Sequence, residues 1–203
     1  MADPTVTVPS VDGEVVVHVW LPAGDVRGVV VVAHGMGEHA GRYARLAGAL
    51  NAAGWAVYAP DHRGHGLTAA GPEGLGDLGR GGWDGLVDDL GRVVDDAAGR
   101  HPDLPVVLLG HSMGSFAAQQ YVLDHADRLV ALVLSGTTAV DQIAGALDPD
   151  QPADLTAFNA PFEPARTEYD WLSRDTAEVD AYVADDRCGF GLDAPATASM
   201  VAA

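Results

Sequence analysis

The stretch Gly110-His111-Ser112-Met113-Gly114 decides the fold because of the segments on either side of it. An apolar run typical of a buried strand, Pro105–Leu109, precedes it, and a helix-forming run, Ser115–Leu123, follows it. A G-x-S-x-G between a strand and a helix predicts a strained turn that lifts the serine hydroxyl above the sheet edge. The glycines, Gly110 and Gly114, are expected where a Cβ would not fit. The serine is therefore the candidate nucleophile.

The composition narrows the classes of function. The chain has 203 residues, enough for one α/β domain, and a net charge of −18 with 11 arginines and no lysine. This charge argues against nucleic acid or an anionic membrane as a partner. A single cysteine, Cys188, excludes an intrachain disulfide and fits a reducing compartment. Without a signal-peptide pattern or an apolar run long enough to span a bilayer, we expect a soluble cytoplasmic protein with no stable membrane anchor.

Strand and helix patterns alternate along the first two thirds of the chain. The predicted strands are Glu14–Leu21, Val29–Ala33, Ala56–Ala59, Val106–Leu109 and Leu129–Ser135, and the predicted helices are Tyr43–Ala53, Trp83–Ala98 and Ser115–His125. In the second helix Asp88, Asp89 and Arg92 are expected to face solvent. The alternation predicts an α/β fold with a mostly parallel sheet and helices on both faces.

The pattern changes after Gly136. Residues 137–190 carry several prolines and aspartates and no strand signal, which favours a lid or cap inserted after a strand, with one or two short helices within Asp170–Val183. Residues 191–203 are small and featureless and are expected to be disordered or frayed. The chain is thus divided into a core, residues 1–136, a lid, residues 137–190, and a tail, residues 191–203.

Five separated motifs carry a resemblance to a known family. They are His34-Gly-Met-Gly-Glu-His39 with Arg42-Tyr43, Asp61-His-Arg-Gly-His-Gly66, Gly110–Gly114, Asp170-Trp-Leu-Ser-Arg-Asp175 and Cys188-Gly-Phe190. In this order they resemble the monoacylglycerol lipase-like branch of the α/β-hydrolase fold, also catalogued as serine aminopeptidase-like or lysophospholipase-like. The likeness runs from about Val11 to Phe190.

The resemblance implies a serine hydrolase of carboxylic esters, such as monoacylglycerols or lysophospholipids, that needs no cofactor and forms an acyl-Ser112 intermediate. Charge on the ester oxygen requires donors already in place. The helix after the turn supplies the N–H of Met113, and the resemblance places the second donor at Met36. Gly35 and His34 shape this loop. We interpret His34 as fixing the loop by a hydrogen bond, because in this fold the catalytic histidine follows the nucleophile.

The triad acid and base are not found in the chain. None of the eight histidines lies beyond His125, and although Asp141 follows a predicted strand, no histidine comes after it. The resemblance places both groups after the lid, so we expect a C-terminally truncated hydrolase that lacks the last strands and is inactive or nearly so. The apolar strand Leu129–Ser135 would then be an open sheet edge, which favours self-association.

Other functions stay open. The chain could be a non-catalytic, truncated hydrolase-like module that binds a ligand or a partner, or the same fold could act on peptides or lactones or as a perhydrolase. A metal site at Asp61, His62 and His65 is disfavoured, because Gly64 and Gly66 indicate a tight structured turn. We expect no metal and a small acyl ester as the substrate.

Overall fold

One mixed sheet organises the chain in the computed structural model, which describes residues 4–139, 142 and 147–203. The strands are β1 (Thr5–Ser10), β2 (Gly13–Trp20), β3 (Gly28–Ala33), β4 (Trp55–Pro60), β5 (Val106–His111) and β6 (Ala131–Ser135). They lie in the order β1-β2-β4-β3-β5-β6. The pairs β1–β2 and β2–β4 are antiparallel, and the other three pairs are parallel. The prediction of a mostly parallel sheet is confirmed, although β1 was not predicted. Asp141 lies outside the described residues.

Helices cover both faces of this sheet. They are α1 (Ala44–Ala52), α2 (Gly82–Arg100), α3 (Met113–His125), α4 (Thr176–Val183) and α5 (Ala194–Ala202), with short 3-10 turns at Ala40–Tyr43, Pro72–Gly74, Ala126–Arg128, Thr156–Phe162 and Asp170–Leu172. Helix α1 packs on one face, and α2 and α3 pack on the other. The side chains of β3 are buried on both faces, as its unbroken apolar sequence predicts. Among the described residues, no helix combines the length and apolar content that a membrane crossing needs.

Strand β6 lies at one edge of the sheet. In the described part of the chain it pairs with β5 alone. Its residues alternate between exposed and half-buried, with Leu132 and Leu134 turned toward the core. Pairing of this edge with a second chain stays a prediction.

The prediction of a frayed tail is wrong for residues 194–202. Helix α5 packs on α2 and buries Ala196, Thr197 and Met200. The carboxylate of Asp193 caps it by accepting the N–H of Ala196 at 2.8 Å. Between the two helices, Ser199 Oγ of α5 accepts the N–H of Trp83 at 2.9 Å, so α5 also caps the first turn of α2.

Asp89 is the second correction, because it is buried rather than solvent-facing. The guanidinium of Arg63, also buried, donates from Nε and Nη2 to Asp89 Oδ2 at 3.1 and 2.7 Å. Its Nη1 donates to Asp12 Oδ2 at 3.0 Å. The ion pair therefore joins α2, the loop after β4 and the β1–β2 turn. Asp88 and Arg92 are exposed as expected.

The turn between β5 and α3 brings two backbones into direct contact. A Cβ on Gly114 would overlap the carbonyl oxygen of Ala33 and come within 2.5 Å of that of His34. A Cβ on Gly110 would lie 2.6 Å from the oxygen of Gly114. The first turn of α3 therefore packs directly against the end of β3, and the loop that follows β3 begins there at His34.

The loops after β3 and β4 share buried polar groups. The Asp61 carboxylate accepts the N–H groups of Ala40 and Leu67, each at 2.7 Å, and lies 3.2 Å from His18 Nε2. Burial alone would raise the pKa of Asp61, but the hydrogen bond with His18, the nearby His34 and the two N–H donors together lower it to about 2. Asp61 is therefore an ionised anchor for both loops.

We predict that Gly114→Ala lowers the free energy of unfolding by at least about 3 kcal/mol, because the new methyl group meets backbone that cannot rotate away. Gly48→Ala is the matched control, since Gly48 is exposed within α1 and has open space around its Cβ position. That change should stabilise the chain by roughly 0.5–1 kcal/mol. Urea unfolding measures both, and equal stabilities of Gly114→Ala and the parent would contradict the prediction.

A second prediction concerns pH. Burial lowers the pKa of His34, of His62 and of His65, the last to about 3, and repulsion from a nearby imidazole adds to the lowering of each pKa. These histidines bind protons in the unfolded chain but not in the folded one, so stability is full above pH 6.5 and falls below it. We expect a loss of about 2–4 kcal/mol between pH 7.5 and 5.5.

Urea unfolding across this range checks the pH prediction. His62→Leu should reduce the loss by about a third, whereas His125→Gln, at an exposed position, should leave it unchanged. A free energy of unfolding that is constant between pH 7.5 and 5.5 would refute this account.

Candidate active site

Ser112 lies between β5 and α3 in a backbone conformation that residues other than glycine rarely adopt. Its φ is 50° and its ψ is −122°. Strain of this kind costs about 1–3 kcal/mol and is held by the surrounding structure. The side chain is partly exposed, and its hydroxyl makes no hydrogen bond to any residue that the structure describes. Ser112 therefore presents a free hydroxyl to the space above the sheet.

That space is a cavity of about 350 Å³. The loop after β3, the ends of β5 and β6 and the segment around α4 all contribute to its wall. The lining residues are Gly35, Met36, Glu38, Arg42, Arg45, His111, Ser112, Gly136, Trp171, Leu172, Ser173, Glu178 and Tyr182. Ser112 and Met36, predicted from motifs 76 positions apart, thus share one cavity.

The loop of residues 34–38, called the oxyanion loop below for the role that we propose for it, leaves one of its central N–H groups free. The N–H of Gly35 donates to Glu38 Oε1 at 2.7 Å, and the N–H of Gly37 donates to His65 Nε2 at 3.4 Å. The N–H of Met36, between them, donates to no acceptor within the described residues. The loop also approaches the serine closely, since a Cβ on Gly35 would lie 3.2 Å from Ser112 Cβ.

The imidazole of His34 sets the direction of that free N–H. Its Nδ1–H donates to the carbonyl oxygen of Gly35 at 2.8 Å, while its Nε2 accepts the N–H of His62 at 3.0 Å. In a trans peptide the carbonyl and the N–H point in opposite directions, so the Met36 N–H is directed away from His34. His34 thus makes the loop-fixing hydrogen bond expected from the sequence.

The N-terminus of α3 supplies a second free N–H. Ser115 and Phe116 donate their N–H groups to the carbonyl of Ser112 at 2.8 and 3.3 Å. The N–H of Met113 makes no such bond within the described chain. Free N–H groups at a helix N-terminus carry a partial positive charge that favours an anion.

Glu38 is a site residue whose role the sequence analysis did not predict. Its carboxylate accepts the Gly35 N–H, the hydroxyl of Tyr43 at 2.7 Å and Nε of Arg42 at 3.2 Å. Burial alone would raise the pKa of Glu38, but His34, the Tyr43 hydroxyl and the Gly35 N–H together lower it. The ionised carboxylate therefore fixes the loop by its hydrogen bond with the Gly35 N–H.

None of the eight histidines, all of which are described, hydrogen bonds to Ser112. The nearest in sequence, His111, has its Nδ1 3.1 Å from Ser135 Oγ at the end of β6. His18, His39 and His101 pair with Asp61, Asp185 and Tyr58. The exposed His125 stacks on Tyr121. A general base for Ser112 is therefore not among these imidazoles.

His39, Asp185 and Cys188 place one N, one O and one S atom within 4.8 Å of one another. Nε2 of His39 lies 2.9 Å from Asp185 Oδ2, and Nδ1 accepts the Gly41 N–H at 3.2 Å, so both ring nitrogens are engaged. Burial and the nearby Asp185 carboxylate raise the pKa of the Cys188 thiol to about 12. The cluster is a polar link between the loop after β3 and the turn after α4.

Two relatives by sequence carry the name of a lipase. A monoacylglycerol lipase from Mycolicibacterium smegmatis is 39% identical, over 84% of this chain and 60% of that protein. A monoglyceride lipase from Mus musculus is 32% identical, over 82% of this chain and 54% of that protein. The chain thus spans little more than half the length of these relatives.

Solved structures give the same fold. A thermostable carboxyl esterase from Bacillus coagulans, in complex with glycerol, is 30% identical and superimposes with a TM-score of 0.85, over the whole of this chain and 72% of that one. A lipase in an open form is 26% identical with a TM-score of 0.76, over 99% of this chain and 72% of that one.

The sequence profile of the family described as serine aminopeptidase, S33, matches residues 24–203. The match begins before β3 and takes in the oxyanion loop, the turn at Ser112 and the segment around α4. The chain therefore belongs to this family of α/β-hydrolases.

Proposed function

We propose that Ser112, Met36 and Met113 are active-site residues of a carboxylic ester hydrolase. Ser112 attacks the ester carbonyl and becomes acylated. The observation that carries the proposal is the strained, unbonded Ser112, which lines a cavity together with Met36 and directly precedes Met113, two residues whose N–H groups are free. Those two groups would form the oxyanion hole, and each such donor typically contributes ~10²–10³ in rate.

Monoacylglycerols or related acyl esters are the proposed substrates. The support comes from relatives named monoacylglycerol and monoglyceride lipase, and from an esterase that was solved with glycerol. Within the family, these names favour ester over peptide substrates. We further propose that residues 137–190 act as a lid and that the protein works in the cytoplasm, as the single cysteine suggests.

Catalysis by these 203 residues alone should be impaired. Acylation and deacylation both need a general base, and no described imidazole reaches Ser112. In serine proteases, loss of the triad base removes ~10⁶ in turnover, while the oxyanion hole and binding leave ~10³–10⁴ over water. The same lack of a base favours the second candidate function, a module that binds an acyl ester or a partner without turnover.

We predict that an activated ester, p-nitrophenyl butyrate, slowly transfers its acyl group to Ser112. The reason is that a good leaving group lessens the need for a base, whereas hydrolysis of the acyl-serine still requires one. Intact-mass spectrometry should therefore detect one added butyryl group, and release of p-nitrophenolate should be slow. Ser112→Ala should abolish both signals, and Ser173→Ala, a serine in the same cavity wall, should keep them.

Each outcome decides between the proposals. Equal signals from the parent chain and Ser112→Ala would refute acylation and leave binding without turnover, which calorimetry with a monoacylglycerol then tests. A kcat near ~10 s⁻¹, typical of complete enzymes, would contradict the predicted impairment.

A further inference from the structure

The carbonyl oxygen of Gly37 is hydrogen bonded to two residues that lie much later in the chain. It accepts the hydroxyl of Tyr182 at 2.7 Å and the N–H of Gly189 at 3.0 Å. Both donors belong to residues 176–190, called the strap below, which comprise α4 and the turn after it. The oxyanion loop is thus bonded to a segment about 145 residues further along the chain.

The contact between the strap and the loop is close and has several points. Gly37 has a φ of +65°, and a Cβ there would overlap the carbonyl oxygen of Phe190. The guanidinium carbon of Arg42 lies 4.9 Å from the centre of the Tyr182 ring. The polar link of His39 with Asp185 adds a further tie. The strap is therefore a packed wall of the cavity.

Tyr182 is suited to be a permanent donor at this position. Its side chain is buried, and burial raises the pKa of its hydroxyl above the usual range. The proton therefore stays on the oxygen at neutral and mildly alkaline pH. The other polar group of Gly37, its N–H, donates to His65 Nε2. The glycine, which could rotate readily by itself, is held at both of its polar groups.

We propose that Tyr182 is a positioning residue, which holds Gly37 so that the neighbouring Met36 N–H stays directed into the Ser112 cavity. This inference rests on the proposed function for the meaning of that N–H, but the geometry can be tested without turnover. Without the Tyr182 hydroxyl, the Gly37 carbonyl keeps only the bond from the Gly189 N–H, so Gly37 can change φ and ψ more readily and move the adjoining Met36. Preorganised donors lose their value when they must reorient during the reaction.

The test is Tyr182→Phe, which removes one oxygen atom and keeps the ring beneath Arg42. The matched control is Tyr58→Phe, which removes a hydroxyl that lies 2.9 Å from His101 Nε2. His101 precedes β5, whereas Ser112 follows it, so this contact lies at the other end of the strand. Amide hydrogen exchange and ¹⁵N chemical shifts at residues 35–38 are read by NMR in the full chain.

We expect Tyr182→Phe to speed exchange at Gly37, whose N–H is bonded to His65 Nε2, by roughly 3- to 10-fold, the factor that matches loss of one hydrogen bond. The ¹⁵N shifts of the loop should move, while exchange in β3 and β5 stays unchanged. Tyr58→Phe should change loop exchange by less than about 2-fold. Unchanged exchange at Gly37, together with unchanged ¹⁵N shifts at Met36 and Gly37, in Tyr182→Phe would overturn the proposal.

Kinetics separate this inference from the proposed function. If Ser112-dependent acylation is measurable, Tyr182→Phe should lower its maximal rate by about 10-fold and leave the half-saturating ester concentration within about 2-fold. A change in half-saturation alone would indicate contact with the substrate and overturn the positioning role. If acylation is absent in the parent chain, the proposed function fails, and the exchange experiment still decides the role of Tyr182.

Discussion

The backbone contact between Gly114 and the carbonyl of Ala33 is the constraint on which the rest of the site depends. Because no side-chain carbon fits between them, the first turn of α3 lies directly against the end of β3. That arrangement brings the loop that begins at His34 close to the turn that carries Ser112. A larger separation would move the Met36 N–H away from Ser112, and the proposed oxyanion hole would lose one of its two donors.

Buried charge keeps the surrounding loops in place. Asp61 joins β2 and the loops after β3 and β4, and the guanidinium of Arg63 joins Asp89 of α2 to Asp12 of the β1–β2 turn. Removing one partner of a buried pair costs about 3–5 kcal/mol, because the other charge stays without compensation. Asp61 and Arg63 of the Asp61–Gly66 motif thus have structural roles, and the scaffold around the cavity is polar as well as apolar.

The fold and the turn that carries Ser112 could be predicted because their signals are local. The run of residues 105–123 contains a strand, a turn and a helix in one stretch, and the unbroken apolar run of β3 is typical of a strand buried on both faces. Strand β1 was missed although Thr5–Ser10 alternates and Asp12-Gly13 is a typical turn pair. Helix α5 was missed although Asp193 and Pro195 form a good N-terminal signal.

The partners of charged and polar groups could not be predicted in this way. Asp89 follows the exposed Asp88 in α2, and its burial depends on the ion pair with Arg63 from across the fold. The roles of Glu38 and Tyr182 also depend on backbone groups that a motif does not specify. Pattern and motif identify the residues of the site, whereas tertiary structure decides which atoms meet.

The bond from Tyr182 to Gly37 has a consequence for the order of folding. The two residues are 145 positions apart, whereas Gly114 and Ala33 are 81 apart. Closing a longer loop costs more chain entropy, and contacts between distant residues are among the slowest to form. During synthesis the oxyanion loop leaves the ribosome long before its anchor does. The sheet can therefore assemble first, and the cavity wall closes last, when the strap docks.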